Sequence, residues 1–126
     1  MVQLWADFVY MAPPFIAYYG ALQDCQPLLQ TAYDQVRLYR DVLYDADVGL
    51  WQHIALGTWS DPTHWATGNA WAAAGMLRVS ETIAQSSVGS QMTSQENDLM
   101  QWIGEILDAA WSFQVSVVSF AVLEQY

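Results

Sequence analysis

The sequence predicts an all-α chain built from helical hairpins. Apolar residues recur at three- and four-residue spacing over most of its length, which is the period of a helix with one buried face. Helix-start signals fall where that periodicity begins, with Pro27 opening one segment and Thr93 followed by Glu96 opening another. One long stretch, Asp45 to Thr67, lacks the period and is rich in turn formers.

The first predicted helix runs from Val2 to Leu22 and carries Leu4, Phe8, Met11, Phe15 and Tyr19 at helical spacing. Pro13-Pro14 must kink it or split it, because proline lacks an amide hydrogen and clashes with the preceding turn. The second runs from Pro27 to about Tyr44. Its stripe of Leu29, Ala32, Val36, Tyr39 and Leu43 faces a core, and Asp34, Arg37 and Asp41 pair near the opposite face.

Asp45 to Thr67 reads as a loop holding Trp51, Trp59 and Trp65. A connection longer than about 12–15 residues is usually functional or disordered, and three indole rings argue against disorder. The third helix starts at Gly68 or Asn69 and ends near Gln85, with small residues in Trp71-Ala-Ala-Ala-Gly75 that permit close helix packing. Ser86 to Gln91 links it to a fourth helix, whose Thr93 and Glu96 form a capping box and whose stripe is Leu99, Trp102, Ile103, Ile106 and Ala110. The tail from Ser112 to Tyr126 turns β-branched, a strand-like local preference that conflicts with the helices before it.

Composition narrows the function. The 126 residues fit one domain, 54% of them are hydrophobic, and seven are tryptophan, enough for a packed core. Net charge is −10, and Arg37, Arg40 and Arg78 are the only cationic side chains besides histidine. Nucleic acid and anionic membrane surfaces are therefore excluded as expected partners, since both require basic patches. Cys25 is alone, so no internal disulfide is predicted. The N-terminus has no basic region and places Asp7 inside its apolar run, unlike a signal peptide, so the compartment stays open.

Asp7 lies among Trp5, Phe8 and Tyr10, where desolvation suits a carboxyl group to general-acid chemistry; the alternative is an aspartate that complements a helix N-terminus. His53 can meet a ligand oxygen or be an ordinary core histidine, and His64 carries a weaker signal. Metal binding is not predicted, because His53, His64 and Cys25 lack ligand spacing. Asp45-x-Asp47-x-Gly49 reads as a turn rather than a calcium loop. Asn69 is open to two readings, capping the third helix or contacting a sugar. Trp51, Trp59, Trp65 and Trp71 are each ordinary core candidates, yet four rings near one loop make a stacking surface for sugar faces.

The chain resembles glycoside hydrolase family 105, the unsaturated rhamnogalacturonyl hydrolases, and its fungal members in particular. WADFVYMAPPFIAYYG is similar to that family's x-D-x-x-x-M-x-x-P-F helix, VGLWQHI to its T-G-L-W/F-x-H turn, and HWATGNAWAAAGMLRV to its W-x-x-G-N-G-W helix start. The resemblance covers about Leu4 to Ile83 and continues weakly through Leu107. It implies an (α/α)6 barrel of six helical hairpins, of which residues 1–126 would form a single partial domain, with 1–110 family-like and 111–126 a divergent tail. Twelve helices need on the order of 200 residues, so a piece of a barrel is expected.

The resemblance further implies that Asp7 is the acid/base that protonates the C4=C5 bond of an unsaturated uronic acid and activates water toward C5. His53, Trp51, Trp65, Asn69 and Trp71 would bind the substrate, a pectin-derived oligosaccharide, with no cofactor. The competing expectation is a noncatalytic helical protein that binds saccharide weakly or self-associates through uncovered helix faces.

Overall fold

The computed structural model describes the backbone of residues 1–123 and the side chains of residues 1–114. It is mostly helical: α1 (Phe8–Met11), α2 (Pro13–Leu22), α3 (Gln26–Leu43), α4 (Ala66–Ala84) and α5 (Thr93–Leu123). Four short strands accompany them: β1 (Gln3–Trp5), β2 (Tyr44–Asp45), β3 (Leu50–Trp51) and β4 (Ile54–Leu56). A 3-10 turn, Gly89–Gln91, sits between α4 and α5.

The first helix differs from expectation at both marked points. Gln3–Trp5 are extended, because they pair antiparallel with Ile54–Leu56 in the register Gln3↔Leu56, Leu4↔Ala55 and Trp5↔Ile54. A distant strand outweighs the local helical period. The proline pair then splits the helix at Ala12, and Pro13-Pro14 open α2, where missing amide hydrogens cost nothing.

Helix α3 follows its stripe closely. Leu29, Ala32, Val36 and Leu43 have no exposed surface, Tyr39 packs at the core's margin, and Arg37 pairs with Asp34 and Asp41 on the outer side. Helix α4 begins at Ala66, slightly earlier than Gly68. Its small residues serve a close crossing with α1: a Cβ on Gly75 would stand 2.3 Å from the Val9 carbonyl oxygen, so only glycine fits. The core lies between these helices and includes Met76, Val79, Ile83, Leu99 and Ile106.

Three further expectations are corrected. Asp45–Thr67 is no plain loop, since β2 pairs with β3 and β4 with β1. The Thr93–Glu96 capping box does not form. The Thr93 hydroxyl donates to the Ser90 carbonyl, and the Glu96 amide already bonds the Met92 carbonyl, so the helix starts one residue too early for that box. The strand-like preference after Ser112 is overridden, with α5 continuing to Leu123, because extending a formed helix costs far less than nucleating one. Residues 124–126 of that tail lie outside the described residues.

Candidate functional site

Three separate stretches of sequence meet at Ala6. Its amide donates to the His53 carbonyl at 2.9 Å, which continues the β1–β4 pairing by one residue. A Cβ on Gly68 would lie 3.6 Å from the Ala6 Cβ and 2.9 Å from the Trp65 ring, so the start of α4 presses directly on the same point. Asp7 therefore stands where the strand ends, beside the His53 segment and the opening turn of α4.

Asp7 is half-buried just ahead of α1 and makes no side-chain capping bond. Its Oδ1 is buried and has no hydrogen-bond partner among the described residues. Buried polar atoms are nearly always satisfied, and an exception calls for a functional reason. Beneath it, Phe8 stacks on Tyr39 with ring centres 4.6 Å apart. Burial, and then the charge of Asp7, push the Tyr39 phenol above its ordinary pKa.

His53 is held by its backbone, by one ring nitrogen and by two indoles. Its amide donates to the Thr63 carbonyl at 2.8 Å, and its Nδ1 lies 2.9 Å from Asp61 Oδ2. The Trp5 ring meets it edge-on at 5.5 Å, and Trp65 lies 4.6 Å away at a tilt. Asp61 is fixed in turn by two backbone bonds to Ile54, both 2.9 Å, and by the Thr63 amide on Oδ1 at 3.0 Å. Hydrogen bonds from His53 and then Thr63 hold the Asp61 carboxyl down at about 2, so it is ionised at neutral pH. His53, Asp61, Thr63, His64 and Trp65 line an open hollow of about 370 Å³.

The remaining site residues divide between wall and surface. Asn69 is 3% exposed, and its amide is fully occupied by backbone. Oδ1 accepts from the Trp51 amide at 2.8 Å, and Nδ2 donates to the carbonyls of Trp51 and Trp65 at 2.9 and 3.2 Å. Asn69 thus ties β3 to α4 from within the first turn of α4, instead of capping that helix. Trp51 is entirely buried, and its Nε1 has no partner among the described residues. Trp65 is 42% exposed. Trp71 packs on Tyr10 at 4.5 Å, and Arg78 covers the Tyr10 ring and donates to its hydroxyl.

His64 has a different partner from His53: its Nε2 lies 3.0 Å from Asp45 Oδ2. Asp45 also accepts from the Asp47 amide, closing the expected turn. Among the described residues, no three His, Cys, Asp or Glu side chains are grouped to hold a metal ion, and no helix is long and apolar enough to cross a membrane. A second, apolar groove of about 600 Å³ lies between α4, α5 and Val48–Leu50, and neither Asp7 nor His53 lines it.

Asp61 and Tyr39 are the residues that sequence reasoning missed. Tyr39 counted only as one member of the α3 stripe. Asp61 sits in Ser60-Asp61-Pro62, an ordinary turn signal, and nothing local marks it as the partner of a histidine eight residues away.

A profile of the family described as Glycosyl Hydrolase Family 88 matches residues 1–114. Among solved structures, the chain is similar to "a possible member of GH105 family" from Salmonella enterica serovar Paratyphi A, with 23% identity and a TM-score of 0.72 over 85% of this chain and 28% of that one. It is also similar to "Glycosyl hydrolase family 88" from Bacteroides vulgatus, with 17% identity and a TM-score of 0.55 over 78% of this chain and 30% of that one. The chain spans less than a third of either protein. Both likenesses place its helices in the six-hairpin glycosidase fold, as part of an (α/α)6 barrel. No curated protein sequence matches it.

Proposed function

The chain belongs to glycosyl hydrolase family 88, and on that premise we propose that it carries the acid/base end of a site for oligosaccharides bearing an unsaturated uronic acid. The reading extends to the finer resemblance: glycoside hydrolase family 105, of fungal type, acting on rhamnogalacturonan-derived fragments of pectin. One observation carries it. The Asp7 carboxyl group holds a buried oxygen with no partner among the described residues, where the three family-like motifs converge.

In this reading Asp7 gives its proton to the C4=C5 double bond and directs water to C5. The resulting hemiketal opens and releases the neighbouring sugar, and no reactant beyond water is consumed. Trp65 and Trp71 offer ring faces to the sugar and His53 offers a ring nitrogen. Trp51 and Asn69 do not line the hollow beside His53, and Asn69 acts on it through the Trp51 backbone rather than through a free amide.

Binding and turnover separate cleanly in experiment. An unsaturated galacturonyl–rhamnose disaccharide should quench tryptophan fluorescence saturably, and Trp65→Ala should remove the effect; no saturable quenching at millimolar ligand overturns the reading. Turnover by the isolated chain should be negligible, because electrostatic catalysis needs a preorganised scaffold. Any slow loss of the double bond's ultraviolet absorbance should vanish in Asp7→Asn. Equal residual rates in both chains would remove Asp7 from the chemistry.

A second reading rests on the outer face of α2, where Phe15, Tyr18, Tyr19 and Leu22 are all at least half exposed. Monomers rarely leave apolar patches beyond a few hundred square ångströms uncovered. The chain is therefore expected to self-associate, and sedimentation at several concentrations decides: a single monomeric species throughout would rule this out.

A further inference from the structure

The hydrogen bonds around Asp61 determine where the proton of His53 resides. Asp61 is ionised at neutral pH, and an ionised carboxylate only accepts hydrogen bonds. Its Oδ1 receives the Thr63 amide and its Oδ2 faces His53 Nδ1 at 2.9 Å. Nδ1 must therefore carry a hydrogen. In the neutral ring that leaves Nε2 bare, as an acceptor.

Nε2 has no partner among the described residues, and the ring lines the hollow with Thr63, His64 and Trp65. The ring is confined by its own backbone bonds and by two indoles, so the nitrogen has a fixed position. No guanidinium competes for this role: Arg37 is paired with Asp34 and Asp41, Arg40 with Glu105, and Arg78 with Tyr10. His64 is bonded to Asp45.

We propose that Asp61 is a positioning residue of the site, fixing His53 in the Nδ1–H form so that Nε2 accepts a hydrogen bond from a sugar hydroxyl in the hollow. This rests on the reading of the hollow as a saccharide site. It adds a selectivity: with its ring neutral, His53 reads a hydroxyl group, and a carboxylate, which can only accept, must be placed elsewhere. The plainer role for the pair is a strut that pins the Ile54–Asp61 turn.

The Asp61→Asn substitution separates the two. Asparagine offers one carbonyl oxygen, and the Thr63 amide needs it, so the Asn amide hydrogens turn toward Nδ1 and drive the ring proton to Nε2. The fold and the hydrogen bond survive, while the exposed nitrogen changes from acceptor to donor. An analogous substitution beside the catalytic histidine of serine proteases leaves the geometry intact and installs the wrong tautomer.

The experiment is long-range proton–nitrogen NMR of the full 126-residue chain, recorded above the pH at which imidazole is protonated. Wild-type His53 should appear as the Nδ1–H form and Asp61→Asn as the Nε2–H form. Affinity for the unsaturated disaccharide should fall about tenfold in the variant, because a hydroxyl that turns to accept from Nε2–H leaves its own hydrogen without that partner, with helical circular dichroism unchanged. A wild-type ring in the Nε2–H form overturns the proposal, and this measurement needs no variant to fold. An inverted tautomer with unchanged affinity also overturns it, leaving the strut. A wild-type chain that binds no saccharide instead sinks the reading of the hollow, while the tautomer still decides what Asp61 does to His53.

Discussion

The helical framework and the segment from Tyr44 to Trp65 are held together by different forces. In α3, α4 and α5 the residues that matter are apolar and fully buried, such as Leu29, Val36, Met76 and Leu99. In Tyr44–Trp65 the strands are two or three residues long, too short to be stable alone. Trp51 and Ile54 are buried here as well, but direction comes from side chains that bond backbone or each other: Asn69 to Trp51, Asp61 to Thr63 and His53, Asp45 to Asp47 and His64. Burial tolerates small shifts, whereas hydrogen bonds fix direction. The segment that presents the site is built from the directional kind.

The largest test of this difference sets Asn69→Ala against Leu29→Ala. Removing the Asn69 side chain strands the Trp51 amide and carbonyl in the interior. Each unsatisfied buried group costs about 1–3 kcal/mol, so a loss of about 4 kcal/mol is expected. Leu29→Ala leaves a cavity in a plain apolar core and should cost about 3 kcal/mol. Urea denaturation of both variants is the measurement. If Asn69→Ala proves milder than Leu29→Ala, polar clamping is not what holds the segment.

The same division explains what could be read from the chain. Helix α3 was legible because its period is local: Leu29, Ala32, Val36 and Leu43 announce their face within eighteen residues. Trp5 was misassigned to a helix because its partner, Ile54, is 49 positions away and leaves no periodic trace. At the site, Asp7, His53 and Asn69 could be picked out by type and motif. The roles their surroundings give them could not, because the Asn69–Trp51 clamp and the His53–Asp61 pair exist only once distant strands have met. The tail after Ser112 shows the limit from the other side, where its β-branched residues signal strand and the helix already running through Trp102 prevails.

Acid sharpens the comparison at intermediate size. Asp61 has a folded pKa of about 2 against an ordinary 3.8. A depressed carboxylate stabilises the folded chain fully above the ordinary value, and that stability disappears as pH falls through the folded one. Glu105 acts with the same sign: burial raises its pKa, but hydrogen bonds from Arg40 and Gln101 outweigh this. The melting temperature should therefore drop between about pH 4 and pH 2, and Asp61→Asn should flatten the part of that slope due to the site segment. The Asp61 contribution is open to solvent and should shrink in high salt. An unchanged acid slope in Asp61→Asn would mean that the His53 pair adds nothing to holding the segment.

The smallest effect concerns strain. Among the described residues, two other than glycine have positive φ, Asp24 at 49° and Leu56 at 64°. Aspartate tolerates the left-handed region, but leucine does so at a cost of roughly 1–2 kcal/mol. Leu56 is followed by Gly57 at 77°, so two consecutive residues adopt the conformation for which Asn-Gly is the preferred pair. The Leu56 side chain is 53% exposed and gives up little burial when replaced. Leu56→Asn should thus stabilise the chain by about 0.5–1 kcal/mol, read as a higher urea midpoint at unchanged slope. The strain lies on β4, three residues from His53 and on the strand that pairs with β1 just ahead of Asp7. A stabilised variant with weaker disaccharide binding would show that the strained leucine helps aim the site. Unchanged stability would mean that the turn has already relaxed, and that strain plays no part in setting this segment apart from the helices.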